Sequence, residues 1–130
     1  MEAFRGTIAS REGDWPQALR SVVDAVTAQY AHDPSMIMAP PFFGISIALS
    51  RLGDFTSSAI TLGFVQSHYP GVVLDPVSAA VLGETIGLLH EHLDGDERER
   101  LRARGAALDL RQIVAFAQEA AASFPVGATS

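Results

Sequence analysis

The chain has 130 residues and 13.8 kDa, with 48% hydrophobic and 18% charged residues, which fits one folded domain and excludes a disordered chain. Cysteine is absent and all nine basic residues are Arg, so disulfides, thiolate sites, a phosphate-loop lysine, a Schiff-base lysine and a Ser–Lys dyad are excluded. A net charge of −6 disfavours nucleic acid and anionic membranes as direct partners, no apolar run reaches bilayer-spanning length, and the start lacks a secretion leader, so a cytoplasmic protein is expected.

In chain order, the first predicted element is a short helix carrying Phe4, Ile8 and Arg11 and ended by Gly13. Trp15, Leu19, Val22, Val23, Val26 and Tyr30 then follow at steps of 4, 3, 1, 3 and 4, one face of a helix. Asp14 caps that helix, Gln17 completes a capping box, Pro16 sits in the first turn, and Asp33-Pro34 ends it. The segment 33–41 carries three prolines around Met36-Ile37-Met38 and reads as an extended or single-turn connector. A nearly all-round apolar helix from Phe42 to Leu52 follows and is expected to be buried on more than one side. Gly53-Asp54 stops it, and Asp54 caps a helix from Phe55 to His68.

Tyr69-Pro70-Gly71 breaks the chain. Asp75-Pro76 opens a helix from Val77 to Leu93, whose inner stripe is Val77, Val81, Thr85, Leu88, Leu89 and His92. Asp94-Gly95-Asp96 turns into an Arg/Glu-rich helix from Glu97 to Arg104, closed by Gly105. Asp109 with Gln112 forms another capping box, opening a last helix lined by Leu110, Ile113, Val114, Ala117, Ala121 and Phe124. The expectation is an all-α array of about seven short antiparallel helices, one helical-repeat domain over residues 1–124 followed by a flexible tail at 125–130.

Two stretches echo each other. Ser10-Arg11-Glu12-Gly13-Asp14-Trp15 precedes a helix with Ala18-Leu19, and Ser50-Arg51-Leu52-Gly53-Asp54-Phe55 precedes one with Ala59-Ile60. Gly13 and Gly53 lie 40 residues apart. Glycine permits the tight turn between paired helices, aspartate caps the second, and the aromatic packs into the hairpin. Gly13, Asp14, Gly53 and Asp54 are therefore read as structural corners. Small residues such as Ala18 and Ala59 let the helices approach.

The echo resembles a degenerate tetratricopeptide hairpin, whose usual period is 34 residues; the Pro-rich connector absorbs the difference. Leu49-Ser50-Arg51-Leu52-Gly53-Asp54-Phe55, then Ala59-Ile60-Thr61-Leu62-Gly63, then Arg102-Ala103-Arg104-Gly105-Ala106-Ala107-Leu108-Asp109-Leu110 with Ala115-Phe116-Ala117 extends the likeness. In this order the chain resembles the C-terminal helical-repeat regions of large actinobacterial ATPase regulators of the LuxR and AfsR type, some of which carry an adenylate cyclase domain. The resemblance implies the sensory or scaffolding end of such a regulator, since the chain has neither a phosphate-binding loop nor a complete DNA-reading unit.

Candidate chemistry is sparse. His90-Glu91-His92 has a metal-like look, but helical residues i and i+2 point about 200° apart, so the two imidazoles cannot share an ion; no metal and no cofactor are expected. His68 suits a helix C-terminus. Glu84 has no obvious partner and is no general base alone. The arginines of the stretch 96–104 are interleaved with acids, which reads as a solvated face with i,i+3 and i,i+4 ion pairs rather than a phosphate-binding surface.

Met36, Met38, Phe42 and Phe43 are the candidate partner- or ligand-binding residues. Met and Phe beside a proline connector can form an adaptable groove; the plainer alternative is that they seal the core. The expected function is a non-catalytic protein-interaction or signal-relay module of a transcriptional regulator, with a protein or peptide partner. Apolar end faces of such an array promote homodimerisation. The alternative is a small-molecule sensor with an apolar pocket near Met38, Phe42 and Phe43.

Overall fold

Aspartate sets the frame of the molecule. The computed structural model describes residues 14–124, and five of its six helices begin on an Asp side chain that accepts a backbone N–H of the first turn. An aspartate there satisfies an orphan donor and meets the positive end of the helix dipole. The helices are α1 (Trp15–His32), α2 (Pro40–Arg51), α3 (Phe55–His68), α4 (Pro76–His92), α5 (Gly95–Ala106) and α6 (Leu110–Ala122). A single 3-10 turn, Pro34–Met36, joins α1 to α2. The chain is all-α. The seventh expected helix, around Phe4 to Arg11, the Gly13 corner and the tail 125–130 lie outside the described residues.

Several local expectations are corrected. Helix α2 starts at Pro40 rather than Phe42, because the first helical positions have unpaired N–H groups and tolerate two prolines. Asp14 caps α1, but Gln17 turns its amide to Ser21 Oγ at 3.1 Å, so the first capping box does not close. The box of Asp109 and Gln112 does close, with two hydrogen bonds of 2.8 Å. Along α4 the stripe is Val81, Thr85 and Leu89 alone; Val77 is exposed and Leu88 only partly covered.

Gly53 makes the corner between α2 and α3 at φ +87°, in the left-handed region that side chains avoid. The Asp54 N–H donates to Leu49 O at 2.9 Å, and the Asp54 carboxylate accepts from Ser57 N at 3.1 Å. A valine at position 53 is expected to cost about 1 kcal/mol or more, because a β-branched residue is strained there. Urea denaturation of Gly53→Val checks this, and unchanged stability would contradict the corner.

Helix α3 is the centre of the array. Residues 58–65 are buried without interruption, as expected of a helix apolar all round, and α2, α4, α5 and α6 all pack on it. Consecutive pairs α1–α2 and α2–α3 pack as helical hairpins, whereas α5 lies chiefly on α3 and α6 returns to α1. Gln118 Nε2 donates to Thr27 Oγ1 at 3.0 Å across that last junction. In a strict solenoid each unit touches only its neighbours in sequence; here the last helix closes back on the first described one.

The α3–α5 crossing depends on two glycines. A Cβ added to Gly105 would lie 2.8 Å from Phe64 N and closer still to the Ile60 carbonyl oxygen. One added to Gly63 would lie 2.7 Å from Arg102 Cα. Gly105 is therefore not the terminator predicted from sequence; α5 continues to Ala106, and Gly105 and Leu101 are buried. The charged helix is solvated on one side only.

Hydroxyls line the seam between α2, α3 and α4. Ser46 Oγ and Ser58 Oγ exchange hydrogen bonds with each other's backbone carbonyls at 3.0 and 2.7 Å. Ser50 Oγ donates to Ile47 O at 2.7 Å and approaches Thr85 Oγ1 at 3.4 Å. Among the described residues no buried side-chain polar atom lacks a partner, so the seam avoids the desolvation cost of an orphaned hydroxyl.

Candidate functional site

The four candidate residues divide between core and surface. Phe42 is fully buried, its ring centroid 5.2 Å from that of Phe64 and 6.2 Å from that of Tyr69. Phe43 is also buried, as is Ile37 between the two methionines. Met36 and Met38 point outward, at 63% and 67% exposure. The four side chains do not share one groove: the phenylalanines seal the core, and the methionines flank the point where the connector is anchored.

That anchor is Tyr69. Its hydroxyl donates to Ile37 O at 3.3 Å, and burial pushes its phenol pKa up. The bond ties the α1–α2 connector to the start of the α3–α4 loop. The same loop exposes Val72 at 40% and Val73 at 92%. Two neighbouring loops thus hold apolar side chains in water, and the backbone of the first is held at Ile37.

Two of the histidines, His68 and His92, are placed as packing groups. The His92 ring stacks on Phe55 with centroids 4.1 Å apart, and His68 stacks on Phe64 at 4.3 Å. His68 Nε2 lies 3.3 Å from Ala106 O, near the C-terminal end of α5. Among the described residues no group of three or more His, Asp or Glu is arranged to hold a metal ion. Glu84, unpartnered in the sequence reading, meets Arg51 Nη2 at 2.7 Å. The Arg51 guanidinium also lies over the Trp15 ring, 5.6 Å from its centroid, so this group ties α1, α2 and α4 together at the surface.

A half-open cleft of about 270 Å³ lies among α3, α4 and α5. Ala59, Leu62 and Gly63 of α3 with Ile86 and Leu89 of α4 form an apolar floor; Gln66, His90, Arg98, Glu99 and Arg102 supply polar groups. Glu99 and Arg102 are paired through two hydrogen bonds, the Nε one measuring 3.0 Å. That pairing holds the Glu99 carboxyl below its ordinary pKa. Arg98 Nη1 donates to Leu93 O at 2.7 Å, and Arg98 is half-buried. Sequence reasoning missed this cleft, because its charged groups, Arg98, Glu99 and Arg102, belong to a run that looks like an ordinary solvated face. The available signals were the glycines at positions 63 and 105, which permit the close crossing beside it.

Among the described residues no helix is long and apolar enough to cross a membrane. Comparison with family models, with curated proteins and with solved structures returned no match.

Proposed function

We propose that this chain is a non-catalytic helical interaction module that binds a protein or peptide partner through the two loops tied by Tyr69. The observation that carries this reading is the exposure of Met36 and Met38 on either side of Ile37, whose carbonyl Tyr69 holds, beside a loop that exposes Val73. Apolar side chains held in water favour association, and unbranched methionines adapt to a partner's contour. Holding the connector at Ile37 also reduces the ordering cost of binding there.

The resemblance of the stretches 49–63 and 102–117 to helical regions of actinobacterial ATPase regulators supports a relay role within, or beside, such a regulator. On that reading the natural partner is another domain of the regulator or a second copy of the chain.

The test is affinity capture from the cells of origin, paired with light scattering over a concentration series. The wild-type chain is expected to retain a specific partner or form a dimer. Met36→Glu with Met38→Glu is expected to abolish that association without changing the melting temperature. A monomer that captures nothing, or equal capture by both proteins, would overturn the reading.

A further inference from the structure

The cleft among α3, α4 and α5 joins an apolar floor to a fixed positive charge. Its volume is about 270 Å³, close to the lower end for small-molecule sites and too small for a folded partner's surface. Leu62, Ile86 and Leu89 make the floor. Above it, Glu99 and Arg102 satisfy each other, leaving Arg98 as the uncompensated charge.

Arg98 is positioned in advance. One nitrogen is held by the Leu93 carbonyl, and among the described residues no carboxylate pairs with it. A guanidinium carries five N–H donors, so the remainder can meet an anion. The lining carries two arginines and one glutamate, a net charge of +1 from these three groups, in a chain whose net charge is −6.

Those features select the ligand's chemistry. A neutral hydrophobe would cover the floor but bury a guanidinium that has no anionic partner and unmet N–H donors, which costs free energy. A phosphate dianion would bring surplus negative charge beside Glu99 and has no apolar body to set against the floor. We infer that this cleft binds a small organic monocarboxylate, with its carboxylate on Arg98 and its hydrocarbon or aromatic body over Leu62, Ile86 and Leu89. Planar guanidinium–carboxylate pairing gives the orientation, and burial of the apolar body gives the selectivity.

This site is separate from the loops of Met36 and Met38, so it can fail without affecting the interaction reading. The test is an amide NMR titration of the full chain with phenylacetate and with octanoate, and in parallel with phenylacetamide and inorganic phosphate. Either acid is expected to give saturable shifts at Leu62, Gly63, Leu89 and Gly95, and the amide and phosphate none. Arg98→Gln is expected to weaken acid binding about tenfold or more, whereas Arg100→Gln, on an exposed side chain, leaves it unchanged. No saturable shift with either acid, equal binding of phenylacetamide or phosphate, or undiminished binding by Arg98→Gln would overturn the inference. If Arg98→Gln melts early, the wild-type contrast of acid with amide decides.

Discussion

Gly105→Ala is expected to destabilise the protein by about 2 kcal/mol or more, although alanine is the better helix former. In an isolated helix the exchange gains about 1 kcal/mol. Here the new methyl would meet the Ile60 carbonyl and the Phe64 amide of the facing helix. Both are backbone atoms of a central, buried helix, so no side chain can swing aside and α5 must lift from α3. Gly83→Ala is the control: nothing lies within 4 Å of a Cβ there, and it is expected to stabilise by about 0.5–1 kcal/mol. Denaturant midpoints of the two variants, measured together, separate close packing from helix propensity. Stabilisation of both by a similar amount would show that the crossing is not tight.

Phe42→Ala is expected to cost about 3–5 kcal/mol, a large share of the roughly 5–15 kcal/mol that holds a domain together. The ring is fully buried and packs against Phe64 and Tyr69. Its loss leaves a cavity between α2 and α3 and removes support for the Tyr69–Ile37 tie. Met38→Ala, on a side chain 67% exposed, is expected to change stability by less than about 0.5 kcal/mol. Thermal and urea unfolding check the contrast. Equal small effects would mean that Phe42 belongs to an open groove instead of the core.

These two residues also show what one sequence makes legible. Helix α1 was readable nearly to the residue, because an aspartate cap, a proline in the first turn and a face of apolar steps all agree. The Gly53-Asp54 corner was readable for the same reason: its glycine takes the conformation that glycine permits and its aspartate caps the next helix.

At Gly105 nothing local distinguishes a terminating glycine from one that admits a neighbouring backbone. The distinction lies in Ile60, 45 positions earlier. Met36, Met38, Phe42 and Phe43 form one cluster along the chain, yet helical geometry turns the phenylalanines inward while the connector turns the methionines outward.

The cleft was illegible for a third reason. Its parts come from α3, α4 and α5, and the chain-order packing expected of a repeat gives no reason to bring α5 onto α3. Arg98, Glu99 and Arg102 carry the ordinary pattern of an exposed helix; only the crossing turns that face towards Leu62 and Leu89. The buried serines are illegible in the sequence for a similar reason, since a serine is ordinarily exposed and the pairing of Ser46 with Ser58 depends on the register of two helices.

The arrangement of α5 on α3 underlies both the fold and the cleft, and nuclear Overhauser contacts of Gly105 test it most directly. Strong cross-peaks are expected from the Gly105 α-protons to the amide of Phe64, together with contacts between Gly63 and Arg102. Gly105 signals that reach only residues of its own helix would contradict the crossing, and with it the cleft that the crossing forms.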